Sequence, residues 1–189
     1  ESLRHQAYAA PLMRLYLDRE RYQKIFNEAL LSGEQRVVIE GASGGGKSAF
    51  LSHVLLGHRR SQPKDVVYAH YLGASADSAD PHALVKRLIE HIKRTTANSN
   101  ELEDDPQKIM DSFPTWLAHA SAWAVKRKVR WVFALDGLDR LSRLADLRWF
   151  PDFVPPRVHW VITCLVGLRF PRYCPKQQIA NGHGLKLNP

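Results

Sequence analysis

The chain has 189 residues, a length that suits one domain of ordinary size. Its composition, 44% hydrophobic and 24% charged with two cysteines, excludes a disordered chain, a collagen-like repeat and a disulfide scaffold. The 27 basic residues outnumber the 19 acidic ones, and the formal net charge of +8 raises the hypothesis of a polyanionic partner. The chain begins at Glu1 rather than at a methionine, so we expect a segment of a longer protein.

Cysteine and histidine usage argues against a metal centre built from side chains alone. Cys164 and Cys174 form no C-x-x-C pair, and neither has a histidine at metal-ligand spacing. Two reduced thiols in a cytoplasmic protein are the simplest interpretation. No apolar run approaches the roughly 20 residues of a membrane span, so no membrane association is expected.

Hydrophobic periodicity predicts helices and strands that alternate along the chain. In chain order these are a helix over residues 20–31, a strand over 36–40, a helix from Lys47 to about Leu56, a strand over 66–72, a helix that starts at Asp80-Pro81, a helix over 112–127, and strands over 129–135 and 158–165. Such alternation indicates βαβ units, and the nearly continuous apolar strands indicate a mainly parallel sheet that is covered on both faces.

Polar residues and prolines predict where several of these elements begin and end. Asp18 is expected to cap the first helix and Gly33 to end it. The acidic stretch over residues 95–106 predicts an exposed loop. Pro114 is expected in the first turn of the helix over 112–127, because proline is tolerated there.

A phosphate-binding loop is predicted directly after the first strand. The sequence Gly-Ala-Ser-Gly-Gly-Gly-Lys-Ser over residues 41–48 fits G-x-x-x-x-G-K-[ST], the Walker A pattern. Glycine permits the torsions that curl the backbone round a phosphate, and the helix that follows adds its positive end. Lys47 is expected to reach the β and γ phosphates, and Ser48 to supply a hydroxyl to Mg²⁺. The predicted nucleotide-binding residues are Gly41, Ala42, Ser43, Gly44, Gly45, Gly46, Lys47, Ser48 and Ala49.

One alternative uses the same turn. Residues 41–45 also satisfy G-x-S-x-G, the nucleophile elbow of α/β-hydrolases, with Ser43 as the nucleophile. The remaining members of the triad would be drawn from Asp139, Asp152, His159 and His183. This hypothesis leaves Lys47 and Ser48 unexplained, and the sequence contains no HGGG-type oxyanion segment.

The third predicted strand ends in a carboxylate. The run Trp-Val-Phe-Ala-Leu over residues 131–135 leads directly into Asp136, the Walker B arrangement in which a strand places a carboxylate near Mg²⁺. Asp139, three residues later, is a candidate for orienting or deprotonating the attacking water. A surface ion pair with Arg140 or Arg143 is the competing interpretation of Asp139.

Beyond the two motifs, the chain resembles the STAND class of P-loop NTPases (NACHT and NB-ARC-like proteins), in particular the branch seen in nephrocystin, NACHT-and-WD-repeat proteins and telomerase-associated protein. The resemblance covers roughly residues 14 to 189. It is carried by Tyr-Leu-Asp-Arg-Glu over 16–20, Ala-His-Tyr-Leu-Gly-Ala-Ser over 69–75 with Ser78, Leu-Asp-Gly-Leu-Asp over 135–139, Trp-Phe-Pro over 149–151 and Thr-Cys-Leu-Val-Gly over 163–167.

The resemblance implies a three-layer α/β/α P-loop NTPase fold, with residues 1–33 as an N-terminal segment and helix and 34–189 as the nucleotide-binding core. It implies that the 158–165 strand lies between the strands of the two Walker motifs, and that residues 184–187 form a short last strand. It assigns Thr163 as sensor 1, a polar group that reads the γ-phosphate. Cys164 and Leu165 replace the polar and arginine residues found in many relatives, so weak hydrolysis is expected.

The function implied is an ATP-binding switch within a larger signalling or scaffold protein, with ATP or ADP and Mg²⁺ as cofactors. Protein partners through flanking domains and a nucleotide-dependent oligomer are expected. No N-K-x-D-like segment that would read guanine is present, which favours ATP.

Two other functions stay open at this point. One is a P-loop small-molecule kinase with Arg169 and Arg172 as lid arginines. The other is a nucleic-acid-binding module, for which residues 126–130 and several further arginines supply positive charge. A charge run of this kind is more often a solvated face, so nucleic acid is not the favoured partner.

Overall fold

The computed structural model describes residues 20–102, 104–141, 149–167 and 185–187. The helices are α1 (Glu20–Ser32), α2 (Lys47–Ser61), α3 (Pro81–Thr96) and α4 (Pro106–Arg127), with short 3₁₀ turns at Ala76–Ala79 and Leu138–Arg140. The strands are β1 (Arg36–Gly41), β2 (Val66–Tyr71), β3 (Trp131–Asp136), β4 (Val158–Leu165) and β5 (Leu185–Leu187). Asp18, Cys174, His183 and the arginines at 169 and 172 lie outside the described residues.

The five described strands form one parallel sheet in the order β2-β3-β4-β1-β5. β4 lies between β1 and β3, as the family resemblance implies, and β5 pairs with β1 beyond it. Since parallel strands all end at the same edge of the sheet, Gly41, Asp136 and Leu165 come together at the carboxyl edge. The predicted parallel α/β/α fold is confirmed.

Alternate residues of the central strands enter two separate cores, one on each face of the sheet. On β3, Trp131 and Phe133 pack with α3 and α4, whereas Val132 and Ala134 pack with α1 and α2. On the second face the ring of Phe26 from α1 meets that of Phe50 from α2 edge-on at 6.3 Å. Both faces are therefore covered by helices, as a buried parallel sheet requires.

The start of α4 differs from the prediction. The helix begins at Pro106 rather than at residue 112, because the Asp105 carboxylate accepts hydrogen bonds from the backbone N–H groups of Gln107 and Lys108. This is the same Asp-Pro helix start as at Asp80-Pro81. The prediction that Pro114 lies in the first turn is wrong: Pro114 lies inside α4.

Several other boundaries move by a few residues. α2 continues to Ser61 and α3 to Thr96, so the exposed connection before α4 is shorter than the predicted 95–106 loop. β3 starts at Trp131 rather than at 129, because Val129 closes the end of α4 by donating its N–H to the carbonyl of Ala124 at 3.1 Å.

A buried charged cluster joins the helices to the amino edge of the sheet. The Asp65 carboxylate contacts Arg130 Nε at 3.1 Å and His58 Nε2 at 3.0 Å. Arg130 Nη1 also donates to the carbonyl of Leu30 at 3.0 Å, which fixes the end of α1 against the core. Burial lowers the pKa of His58, and the Asp65 carboxylate acts in the opposite direction.

His91 on α3 makes the fold sensitive to acid. Its ring packs on Tyr68 and Trp131, with centroids 4.8 and 5.7 Å away, and burial together with the charge of Arg94 lowers its pKa from 6.5 to about 4. His91 therefore binds a proton more readily in the unfolded chain than in the folded protein. We expect the free energy of unfolding to fall between pH 6.5 and about 4, by at most about 1.4 kcal/mol per pH unit for this group.

The measurement is urea unfolding of the wild type and of His91→Gln at several pH values in that range. Glutamine does not titrate, so the variant should show a shallower pH dependence. His58 and His159, whose pKa values are also lowered by burial, should keep the remaining slope in both proteins. Equal slopes would contradict the assignment.

Among the described residues, none of the helices combines the length and the apolar character that crossing a bilayer requires.

Candidate functional site

The glycine-rich turn between β1 and α2 forms a tight backbone loop. Gly44 and Gly46 adopt φ angles of +74° and +78°, a region that favours glycine. The Gly45 N–H donates to the carbonyl of Ala42 at 3.1 Å, and a Cβ on Gly45 would lie 3.0 Å from that same oxygen. Side chains at these positions would strain or obstruct the loop, which explains why three glycines occur in succession.

The loop ends at the amino terminus of α2. Gly46 is the N-cap and has no side chain, so the cap offers no side-chain acceptor to the first N–H groups of the helix. The first turn contains no acidic residue. Lys47 Nζ donates to the carbonyls of Gly41 and Ala42, at 3.0 and 2.8 Å. An ammonium group and a positive helix end therefore share one short segment, which is an environment suited to an anion.

Asp136, at the end of β3, lies beside this loop and is almost fully buried, with 1% of its surface exposed. The Thr163 hydroxyl on β4 donates to Asp136 Oδ1 at 2.7 Å and accepts the N–H of Gly137 at 2.7 Å. Burial raises the pKa of Asp136, whereas hydrogen bonds from Thr163 and Ser48 and the charges of Arg140 and Lys47 oppose that rise. The side-chain oxygens of Asp136 and Ser48 thus lie side by side.

Asp139 lies in the 3₁₀ turn that follows β3. Its Oδ1 accepts the backbone N–H of Leu165 at 3.1 Å, so the carboxylate joins the end of β3 to the end of β4. The side chain is partly exposed and lines the cavity in front of the glycine-rich loop.

The cavity has a volume of about 270 Å³. Its lining residues come from the loop, the start of α2 and the ends of β3 and β4: Ser43, Gly44, Gly45, Gly46, Lys47, Ser48, Ala49, Gly137, Asp139, Arg140, Thr163 and Leu165. Gly41 and Ala42 lie behind the lining as partners of Lys47, and Asp136 lies behind Thr163. Arg140 is the charged lining residue that the sequence motifs did not assign to this site, because a single arginine after a Walker B strand carries no spacing signal.

Among the described residues, the hydrolase alternative does not assemble around Ser43. His159 lies at the start of β4, and the next residue, Trp160, pairs with Arg36 at the start of β1. The Nδ1 atom of His159 contacts the carbonyl of Glu34 at 2.7 Å. Ser43 follows the other end of β1, about 16 Å away along the strand at the usual rise per residue. His159 therefore cannot act as a base for Ser43.

Comparison with known proteins agrees with this geometry. The sequence profile of the NACHT domain matches residues 35–179. The chain belongs to the NACHT family. A TPR repeat-containing protein of Dictyostelium discoideum is 28% identical over 76% of this chain, and human nephrocystin-3 is 23% identical over 67% of it. This NACHT segment spans about a tenth of each of these relatives, at 11% and 10%.

Solved structures share the fold of this NACHT segment. The Drosophila ORC bound to DNA superposes with a TM-score of 0.52 at 13% identity, covering 96% of this chain and 95% of that one. The Drosophila ORC bound to AT-rich DNA and Cdc6 gives 0.53 at 15% identity, over 98% of this chain and 57% of that one. At such low identity these likenesses concern the fold alone. Family and fold together make this NACHT segment a nucleotide-binding module.

Proposed function

We propose that the chain is the ATP-binding switch core of a larger signalling or scaffold protein, with slow ATP hydrolysis. One observation carries the proposal: the glycine loop, Lys47 and Ser48 line a single cavity, and the buried Asp136 carboxylate behind that lining hydrogen-bonds to Ser48 and Thr163. The glycine loop with Lys47 could by itself be an ordinary turn before a helix, and the Asp136–Ser48 hydrogen bond could by itself be a structural contact. Their meeting at one place favours a nucleotide site. Residues 34–189 form the proposed core, and residues 1–33 its N-terminal extension.

The phosphates are proposed to bind in the loop. Backbone N–H groups of Gly44, Gly46 and the first turn of α2 provide donors, and Lys47 provides a cation. Lys47 already hydrogen-bonds to two loop carbonyls, so an incoming phosphate would exchange neutral acceptors for a charged one. Charge-assisted hydrogen bonds are about twice as strong as neutral ones, and this difference favours the exchange.

Mg²⁺ fits the oxygen donors at the carboxyl edge of the sheet. Ser48 would supply its hydroxyl and Asp136 its carboxylate, directly or through water. The cation would offset the burial that raises the pKa of Asp136 and would hold this carboxyl ionised. When bound, Mg²⁺ would neutralise phosphate charge.

The hydrogen bonds already made by Thr163 and Asp139 support the proposal of slow hydrolysis. The single O–H of Thr163 is donated to Asp136, so we propose that Thr163 acts as a sensor through that carboxylate. Asp139 accepts from Leu165 through one oxygen and keeps acceptor capacity for a water molecule. The Asp139 carboxylate could therefore position a water molecule, but its bond to Leu165 restricts its movement during proton transfer.

Equilibrium binding is the decisive experiment. We expect the 189-residue chain to bind MgATP and MgADP, to bind MgGTP more weakly, and to lose affinity for ATP when EDTA removes Mg²⁺. Phosphate release should be slow and should not increase when small hydroxyl acceptors are added. Acceptor-dependent ATP consumption would instead indicate a kinase, and absence of nucleotide binding would refute the proposal.

A further inference from the structure

Arg140 lies at the cavity without belonging to either nucleotide-binding motif. It ends the 3₁₀ turn Leu138–Arg140, is exposed, and lines the same cavity as Lys47 and Ser48. Its Nη1 donates to the carbonyl of Leu72 at 3.4 Å, a long hydrogen bond. A guanidinium carries five N–H donors, so this contact orients the side chain and leaves it able to bind an anion.

Two glycines shape the slot in which the Arg140 side chain lies. Gly73 and Gly137 adopt φ angles of +92° and +72°. A Cβ at Gly73 would approach Arg140 Nη1 to 3.1 Å, and a Cβ at Gly137 would approach Arg140 Cδ to 3.4 Å. Larger residues at Gly73 would therefore press on the guanidinium and shift it, and the positive φ at Gly73 would strain any other residue there.

The Gly73 turn is itself held rigidly. Ser78 is fully buried, and its hydroxyl donates to the carbonyl of Ser75 and accepts the N–H groups of Gly73 and Ser75. His70 Nε2 donates to the carbonyl of Ser78 at 2.8 Å. Residues 70–75, His-Tyr-Leu-Gly-Ala-Ser, thus form a hydrogen-bonded turn that packs against Arg140.

The charged residues around the cavity favour an anionic ligand next to Arg140. Among the cavity-lining residues, Lys47 and Arg140 are the cations and Asp139 the anion, with Asp136 immediately behind Thr163. The charge of Arg140 reaches Asp136, since it acts to lower the pKa of that carboxyl. The two cations come from different sides of the cavity: Lys47 from the start of α2, and Arg140 from the segment after β3.

We propose that Arg140 is a second phosphate-binding cation, supplied by the same chain, which contacts the terminal phosphate of a nucleoside triphosphate. The segment from His70 to Ser78 would position this guanidinium. Arg140 would consequently make the site prefer the triphosphate over the diphosphate, while Lys47 and the loop bind both. This inference rests on the proposed nucleotide-binding function and adds the residue that distinguishes its two ligands.

Calorimetric titration with MgATP and MgADP tests the proposal. Arg140→Gln should weaken MgATP binding about tenfold or more, the value of one charge-assisted hydrogen bond, and should change MgADP binding by less than about twofold. Arg140→Lys should retain part of the preference. Gly73→Ala should reproduce the selective loss of MgATP affinity, because its Cβ displaces the guanidinium.

Arg60→Gln is the matched control, since it removes an exposed arginine at the far end of α2 and should bind both nucleotides as the wild type does. Equal weakening of MgATP and MgADP by Arg140→Gln would indicate a merely structural role and overturn the proposal, as would unchanged affinities. If the wild type binds nucleotide and Lys47→Ala weakens that binding, a negative result with Arg140→Gln overturns only the proposal for Arg140 and leaves the proposed function intact. If the wild type binds neither nucleotide, the proposed function fails as well.

Discussion

Replacing Lys47 with alanine is expected to weaken MgATP binding at least about a hundredfold. The ammonium is the one charged donor within the phosphate loop, and each charge-assisted hydrogen bond to a phosphate contributes about 1.5–3 kcal/mol. Two such bonds correspond to a hundredfold or more in the dissociation constant. The effect should extend to MgADP, because the loop holds the phosphates that both nucleotides share.

The fold should tolerate this substitution. Lys47 is only partly buried, and its two hydrogen bonds are to carbonyls of the loop itself. We expect the unfolding temperature without nucleotide to change by no more than a few degrees, while the increase that MgATP produces in the wild type is lost. Lys64→Ala, which removes an exposed lysine before β2, is the control and should keep that increase. Unchanged affinity in Lys47→Ala would refute the phosphate-loop assignment.

Replacing Asp136 with asparagine is expected to have two opposite effects. The variant should bind ATP with little dependence on Mg²⁺, because an amide is a much poorer ligand for a hard cation than a carboxylate. It should also be more stable than the wild type when no nucleotide is present. Asparagine keeps an oxygen that accepts from Thr163, and it carries no charge that burial penalises.

The direction of the stability effect follows from the raised pKa of Asp136. The pKa of Asp136 is higher in the folded protein than its usual 3.8. Below pH 3.8 the carboxyl is protonated in both the folded and the unfolded state, so its burial does not lower the free energy of unfolding there. The cost develops as the pH rises from 3.8 through the folded pKa. We therefore expect Asp136→Asn to raise the free energy of unfolding at pH 7 and to leave it unchanged near pH 3.

Urea unfolding at both pH values, combined with nucleotide titration at varied Mg²⁺, measures these effects. Asp152→Asn removes an exposed carboxylate and serves as the control, with neither effect expected. A variant that is less stable at pH 7 would show that the hydrogen bonds of Asp136 outweigh its burial. Undiminished Mg²⁺ dependence would contradict its role as a ligand.

Local sequence patterns were sufficient for much of the fold. The apolar runs at 36–40 and 158–165 predicted β1 and β4 closely, because a strand buried on both faces must be apolar at nearly every position. The start of α3 was equally legible from Asp80-Pro81. The start of α4 was missed, although Asp105-Pro106 carries the same signal, because the acidic residues before it have the composition of a loop.

The site was less predictable, since its members come from separate segments of the chain. The glycine loop is encoded locally: consecutive residues supply the turn, the donors and Lys47, so a motif can describe it. The bonds that join Thr163 to Asp136 and Asp139 to Leu165 depend on β4 lying next to β3. That adjacency came from family resemblance, not from periodicity, which describes the faces of a strand and not its neighbours.

The +8 charge and the glycine loop were properties of the sequence alone, and they predicted an anionic ligand and a position for its phosphates. Only the tertiary structure showed that Arg140 lies at the same cavity as Lys47. Arg140 reaches it because β2 and β3 pair in parallel, which places the Gly73 turn beside Gly137. The physical reason is that backbone torsions are set by neighbouring residues, whereas the position of a charge depends on how distant segments pack.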